Sequence, residues 1–536
     1  MKVNTTTAPD SVVLPAGLGW WNVYFICKIG LYFQGVLDFH GLENFTFAAC
    51  LLLPIRNYYG NLLRHLVAIP IALLLLHYDS YMPPLSRLLS QLDQLLAFEF
   101  SYLIELLSRF VSLKMVLAGI IAATLYYFSA KVLRVTSLVL LAIIACGISS
   151  LTVAPVSAPQ VNTTQNTVLN NANDTSDSAL NRYLDEFFQT EKTRITSFPN
   201  PQSIGAPFDI LLLSVCSLGV DDMELAKLNN HPLLQKFDIV FDNFNSATSY
   251  SGPAVIRLSR ASCGQAEHST LYGAVQPECQ LFHQLEELGY QKELILNHDG
   301  VFDSFLEKTQ RYSGINSPPF PHTGLSAVQK DFSGAPIYSD AGMLNAWWKD
   351  RTESNADKVA VLYNTTSLHD GNRILNRAPI YGVPSYTQRG KILFDELATF
   401  LDQLEKSGRN VVVVLIPEHG AGLRGDKMQI SGMRELPSPS ITHIPVAVKL
   451  IGEGLQRSDA VHHISQQSSH QALSQLLANV FEQQVFDNKA FSAAQLSANL
   501  PQTAHVSQNE GSTVIGVNQQ YFISLDQHSW TPYSSK

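Results

Sequence analysis

Charge is scarce in this chain of 536 residues: Asp, Glu, Lys and Arg supply 15% of it, against 46% hydrophobic residues. That balance excludes a disordered or collagen-like protein, because enough apolar surface is present to offset the entropy of folding. An excess of basic residues is missing as well, with 36 Lys+Arg against 45 Asp+Glu and a net charge of −9. No basic stripe exists for a nucleic acid to follow. No C-x-x-C pair occurs among the six cysteines, which argues against a Cys-rich zinc module. A persuasive signal-peptide cleavage pattern is also lacking, so the first apolar run reads as a retained anchor.

What is present is unevenly spread. The first 155 residues hold 9 Lys+Arg and 7 Asp+Glu, while the remaining 381 hold 27 and 38, so a sparsely charged front precedes an acidic back. Five apolar runs fill the front: Trp20 to Val36, Leu42 to Ile55, Leu62 to Leu76, Leu113 to Ala130 and Val135 to Val153. A crossing helix needs about 17 to 25 residues, so the first, fourth and fifth qualify directly and the second and third are short. Lys28 interrupts the first and must snorkel or face the bundle. Arg56 and Arg64 follow the second run, and Lys131 and Arg134 the fourth, with Asp38, Glu43 and Asp79 in the alternate loops. Cytoplasmic loops collect Lys and Arg, so this pattern implies five crossings, an inside N-terminus and an outside C-terminal part. Leucines recur at helical spacing through Leu85 to Phe110, with Arg87, Asp93, Glu99, Glu105 and Arg109 between them. Two readings fit: a helix on the membrane surface, or one packed on the soluble part. Residues 155–181, poor in large apolar side chains, read as a linker between a membrane domain at 1–154 and a soluble domain at 182–536.

Beyond the linker, short β-branched runs alternate with amphipathic helices. Phe208 to Cys216, Glu293 to Asp299, Lys358 to Asn364, Val411 to Ile416 and Ile444 to Gly452 read as buried strands. Strand and helix in turn imply an α/β sheet covered on both faces, with ligands beyond the carboxyl ends of the strands. Cys216 ends the first of these strands, and Glu418-His419-Gly420 follows the fourth. Thiolate, carboxylate and imidazole suit Zn²⁺, although Cys216 alone also reads as a core thiol. Ser251, in TSYSGP before a helical run, reads either as an N-cap or as a hydroxyl beneath the anion-binding start of a helix. A metal beside that hydroxyl would favour its alkoxide.

These residues resemble the alkaline phosphatase and sulfatase superfamily, and within it the membrane-anchored phosphoethanolamine transferases of the kind that modify bacterial cellulose. The resemblance rests on SVCSLG around Cys216, TSYSGP around Ser251, NTTSLHDGNR around His369, PEHGAGLRGDKMQISGMRE around Glu418 and Arg434, and the five-run front. It implies a multi-pass α-helical membrane domain followed by an α/β domain with a mixed central sheet. It also implies transfer of phosphoethanolamine from phosphatidylethanolamine to the 6-hydroxyl of glucose units in cellulose, in the periplasm, beside the cellulose synthase complex and a small inner-membrane partner. Cys216, Ser251, Glu418 and His419 match that family's zinc ligands, with Ser251 also the nucleophile; Tyr250, His369 and Arg434 match its surrounding catalytic side chains. The thiolate at the first ligand position and Glu before His419 depart from the wider superfamily and point to one essential zinc ion.

Alternatives remain at this level. The same fold serves other envelope acceptors, and an idle scaffold of the secretion machinery would carry the same helices. A sulfatase is disfavoured, because Val255 stands where its C/S-x-P-x-R pattern requires Arg. Cys27, Cys50 and Cys146 read as apolar fillers of the membrane runs. Cys263 and Cys279, 16 residues apart in a domain expected outside the cytoplasm, read as a disulfide, the alternative being two separate buried thiols. His298 and Asp299 are candidates for the acceptor side, whereas His443 reads as structural; His322 and Asp370 carry no assignment. Trp347 and Trp348 read as packing before they read as a sugar platform.

Overall fold

The computed structural model describes residues 17–34, 37–55, 57–80, 98–110, 113–152, 174–203 and 205–534. The chain forms two compact units, Met1–Met82 with Phe110–Thr167, and Pro83–Arg109 with Val168–Lys536.

The first unit contains the helices Trp21–Phe33, Gly41–Leu52, Tyr58–Tyr78, Leu113–Ser129 and Val135–Thr152. Each of the five apolar runs contains one of these helices, but the helix lengths depart from the sequence reading. The first run, long enough on paper, yields a helix of 13 residues. The third, which looked short, is the longest at 21 and alone among the described helices is long and apolar enough to cross a membrane. Flanking aromatics explain the difference: Tyr58, Tyr59, His77 and Tyr78 continue that helix past its apolar run, and Pro70 does not break it. Lys28 faces the bundle. Its Nζ lies 2.7 Å from Asp79 Oδ2 and donates to Asn44 Oδ1 at 2.8 Å, a buried polar cluster where the sequence showed only a blemish. Leu63, Leu66 and Leu73 are exposed on the outside of this unit.

The second unit is built on a seven-stranded sheet. Its strands in chain order are β1 (Asp209–Val215), β2 (Ile239–Asn245), β3 (Gln291–Leu296), β4 (Val359–Thr365), β5 (Val411–Leu415), β6 (His443–Ile451) and β7 (His462–Ile464). Their spatial order is β7-β2-β6-β5-β1-β4-β3. β1 pairs in parallel with β4 and β5, and β6 runs antiparallel to both β5 and β2, so the sheet is mixed. Alternation along β1 sends Ile210 and Leu212 into one core and Leu211 and Leu213 into the other, which is why helices cover both faces. Trp347 and Trp348 are buried in the second of these cores, so they pack and do not present a platform.

Three features escaped the sequence reading. β2 carries Asp242 and Asn243 in its middle, which breaks the apolar run that marks the other strands. A four-stranded antiparallel sheet, Val506–Asn509, Ser512–Val517, Gln520–Ser524 and Thr531–Tyr533, closes the chain. The helix Asp177–Glu191 begins inside the stretch read as linker, seating Phe187 and Phe188 against Val506 and Phe522 of that small sheet. Residues 155–173 of the expected linker lie outside the described residues, as do 85–97 of the leucine-rich stretch. What is described of that stretch, Phe98 and the helix Phe100–Phe110, packs on the second unit.

Candidate active site

β1 and β5 are neighbours in the sheet, so the residues after their carboxyl ends meet. Glu418 N donates to Val215 O at 3.0 Å and Leu218 N to His419 O at 2.7 Å, which locks the two strand exits together. Ser217 takes a left-handed φ of 64° immediately after Cys216, reversing the chain at the cost of local strain, a common feature of functional turns. Gly420 is required by close approach: a Cβ there would sit 2.7 Å from Asp222 Oδ2. Asp222 in turn accepts from Ala421 N at 2.6 Å and Leu423 N at 2.9 Å, and so fixes the loop that carries Glu418 and His419.

Cys216, Glu418 and His419, exposed by only 1%, 3% and 0%, offer ligand atoms that all lie within 4.8 Å of one another. Cys216 Sγ is 4.0 Å from His419 Nε2 and 3.4 Å from Ser251 Oγ, which is itself 3.2 Å from His419 Nε2. Ser251 is the first residue of the helix Ser251–Ser259, and the extended backbone of Tyr250 leads into it. The helix start therefore presents the hydroxyl together with the positive end of the helix dipole.

The donor set fits a zinc ion on its own chemistry. His419 Nδ1 donates to Gly420 O at 2.8 Å, which leaves the Nε2 lone pair facing the sulfur and the hydroxyl. Burial and the neighbouring Arg434 hold that imidazole well below its usual pKa, so it is neutral, as a ligand must be. Glu418 Oε1 accepts from Asn364 Nδ2 at 2.5 Å, whereas Oε2 is buried without a hydrogen bond. Burial pushes the Glu418 carboxyl up and the Cys216 thiol up to about 12. An anionic thiolate and carboxylate at this depth require a cation to compensate them.

Two further basic groups complete the site. Arg434 Nη1 lies 3.3 Å from Ser217 Oγ, and Nη2 lies 3.3 Å from His369 Nε2. His369 Nδ1 donates to Asp370 O at 2.8 Å; burial, with Arg434 adding to it, lowers its pKa to about 4, so the ring is a neutral base with Nε2 as the basic atom. The structure thus brings Cys216, Ser251, Glu418, His419, Arg434 and His369 together, with Tyr250 one residue before the hydroxyl. Cys263 and Cys279 are joined in a disulfide away from this cluster. His298 serves the site indirectly, its Nε2 lying 2.9 Å from Asn364 Oδ1, and His443 Nε2 binds the Asp242 carbonyl at 2.9 Å as a structural imidazole.

Asn364, Asp222 and Asn509 were missed by sequence reasoning. Asn364 had a usable signal, since it stands one residue before the end of β4. Asn509 had none: it reaches in from the C-terminal sheet, donating to Ser249 Oγ at 2.7 Å and Glu435 O at 2.9 Å, and so ties the Ser251 loop to the Arg434 loop.

The described end of the leucine-rich stretch also touches this region. Glu99 pairs with Lys330 at 2.6 Å, Tyr102 Oη donates to Asp370 Oδ2 at 3.0 Å, and Glu105 pairs with Arg373. Phe332 stands between, its ring 5.7 Å from Tyr102 and 5.1 Å from His369. Phe100, Leu103 and Ile104 on the same helix remain exposed.

The family model described as cellulose biosynthesis protein BcsG C-terminal domain matches residues 164–530, and that of the BcsG N-terminal domain matches residues 21–148. Cellulose biosynthesis protein BcsG of Escherichia coli (strain K12) is 38% identical over 547 residues, covering 96% of each chain. Its Salmonella typhimurium counterpart is 38% identical over 542 residues with the same coverage of 96% and 96%. Among solved structures, an alkaline phosphatase superfamily protein from Vibrio parahaemolyticus has a TM-score of 0.48 at 13% identity, covering 66% of this chain and 91% of that one. The C-terminal periplasmic domain of EcEptC from Escherichia coli has a TM-score of 0.42 at 14% identity, covering 59% and 93%.

Proposed function

The chain belongs to the cellulose biosynthesis protein BcsG family, and from that premise we propose that it is a phosphoethanolamine transferase acting on cellulose. The donor is phosphatidylethanolamine and the acceptor is the 6-hydroxyl of a glucose unit. The protein is anchored in the bacterial inner membrane with its second unit in the periplasm, beside the cellulose synthase complex and a small inner-membrane partner. The observation that carries this reading is Ser251 Oγ at a helix start, 3.2 Å from His419 Nε2 and 3.4 Å from Cys216 Sγ.

Cys216, Ser251, Glu418 and His419 would hold one zinc ion, which supplies a Lewis acid that eases ionisation of the hydroxyl and bears phosphoryl charge. Ser251 Oγ forms a bond to phosphorus as the bond to the glycerol oxygen breaks; the proton lost by the serine balances the one gained by departing diacylglycerol. Arg434 donates to the phosphoryl oxygens, where charge builds up. In the second half, the sugar hydroxyl attacks phosphorus and His369 Nε2 takes its proton as the bond to Ser251 breaks; return of that proton to the serine oxygen restores both side chains. A pKa of about 4 keeps the ring neutral at neutral pH, so its Nε2 lone pair carries no proton. The exposed Phe100, Leu103 and Ile104 suit a bilayer surface, which would keep the site near lipid headgroups.

Full-length protein in vesicles containing phosphatidylethanolamine should acquire a phosphoethanolamine adduct on Ser251, seen by peptide mass spectrometry. Ser251→Ala should lack it and should leave extracellular cellulose unmodified in solid-state NMR. Cellulose modified at the wild-type level by Ser251→Ala would overturn the covalent mechanism.

A further inference from the structure

Residues 301–304 run along the edge of the active-site cleft. The Phe302 ring lies 6.3 Å from that of His369 and 4.7 Å from that of Phe332. Asp303, next in the chain, sits instead against the start of the Ser251 helix: a Cβ placed on Gly252 would lie 3.6 Å from Asp303 Oδ2 and 3.5 Å from Lys308 Cδ. Consecutive side chains therefore lie beside the proposed base and beside the residue that follows the hydroxyl, so the segment borders the space between them. Asp303 and Ser304 both take left-handed backbone, with φ of 52° and 51°. Two such residues in succession make a strained turn, of the kind that accumulates at ligand sites.

Asp303 is open to solvent, with 43% of its side chain exposed. Lys308 Nζ donates to Oδ1 at 2.7 Å, and among the described residues no hydrogen bond reaches Oδ2, the oxygen nearer Gly252. An ionised carboxylate accepts on both oxygens, and an exposed lysine occupies only one of them. Gly252 is not demanded by crowding, since contacts of 3.5 to 3.9 Å would admit the methyl of an alanine. What glycine preserves there is an open gap in front of Oδ2. Arg434 and the neutral His369 offer nothing to a cation that arrives with a phosphate at Ser251, whereas Asp303 attracts one.

We propose that Asp303 Oδ2 binds the ammonium of the phosphoethanolamine group and so selects donors that carry ethanolamine, a role that rests on the transfer reaction proposed for Ser251. Three bonds of about 1.5 Å separate the ester oxygen from the nitrogen, a reach comparable to the spacing of about 3.8 Å between consecutive Cα atoms such as those of Ser251 and Gly252. A phosphorus held at the hydroxyl thus brings the ammonium within reach of the gap, where the carboxylate accepts a charge-assisted hydrogen bond. Lys308, through Oδ1, fixes the orientation of that carboxylate. Phe302, 39% exposed, offers a ring face to the same cation. A glycerol headgroup, having no charge, leaves Oδ2 to water.

The test uses the full chain in detergent with zinc present and with Ser251→Ala to prevent transfer, so no covalent intermediate is needed. Calorimetric titration compares O-phosphoethanolamine with propyl phosphate, which has the same shape and a methyl in place of the ammonium. This parent should bind phosphoethanolamine about fivefold more tightly, a preference that shrinks as salt rises. Adding Asp303→Asn should bring the two ligands level while propyl phosphate binds as before, which also reports that the variant is folded. Should that variant unfold, Gly252→Ala gives a separate reading, because its methyl enters the gap and should narrow the preference too. Equal binding of both ligands by the parent, no binding of either, or a preference that survives both substitutions would refute the assignment. A missing adduct on Ser251 in the vesicle assay would instead strike the covalent mechanism and leave the measured preference standing.

Discussion

Asn364 decides how Glu418 faces its neighbours, because its amide nitrogen holds Oε1 and leaves Oε2 directed at the sulfur and imidazole cluster. Removing that donor frees the carboxylate to rotate, and groups of this kind are worth about 10–100-fold in metal affinity. Asn364→Leu should weaken zinc by that margin in chelator competition while the fold persists; unchanged affinity would deny Asn364 a positioning role. His369 makes a prediction about pH. As a neutral base with a pKa of about 4, it is lost by protonation, so transfer should hold level through the neutral range and fall as pH drops through about 4. Arg434→Gln removes one cause of the low pKa, so the residual rate should lose its base at a higher pH. A pH-rate profile of both proteins checks this. Cys216, Glu418 and His419 were legible in sequence because ligand-type side chains stood directly after apolar strands. Asn364 showed only its place near a strand end and Asp222 nothing, since an amide or carboxylate gains its full meaning from the backbone group or side chain it reaches.

At the scale of elements, the helix Phe100–Phe110 joins the leucine-rich stretch to the loop that holds His369. Leucine spacing allowed it to lie on a membrane or on the soluble part; the ion pairs of Glu99 and Glu105 place it on the second unit, with apolar side chains still facing out. Tyr102→Phe combined with Glu105→Gln should release the 369–373 segment and lower turnover several-fold, with little change in zinc content. A turnover that stays at the wild-type value in vesicle assays would mean the helix only packs. The bridge between Cys263 and Cys279 pins the loop whose carbonyls hold Arg257 and Arg260. Closing 16 residues stabilises by about 3 kcal/mol on the loop-entropy model, so Cys263→Ser with Cys279→Ser should lower the thermal midpoint by several degrees. β2 shows why elements are sometimes illegible: Asp242, exposed, and Asn243, half-buried, interrupt the strand after only three apolar residues, too short a run to mark it.

Across the whole second unit, buried imidazoles set the response to acid. His470 and His505 have pKa values lowered to about 3 by burial, against 6.5 when unfolded. Between those values the unfolded chain binds more protons, so stability is complete above pH 6.5 and is lost as pH falls toward 3. Asp222, raised by burial to about 6 from 3.8, acts in the opposite sense, and its contribution falls as pH rises through that interval. His470→Gln and His505→Gln should each flatten the acid side of a plot of thermal midpoint against pH; a slope unchanged in both would contradict the neutral assignment. The amino-acid order alone determined the division into an apolar front and an acidic α/β back, five of the strands, and the three ligand-type residues of the site. Each is written in local periodicity or stands beside it, because burial of a strand or helix leaves its mark within a few residues. Tertiary structure alone decided that Ser251 meets His419 across 168 residues, that Lys28 finds Asp79, and that Asn509 braces the loops around the hydroxyl. Those contacts depend on which strands lie side by side, and strand order is settled by packing over the entire sheet.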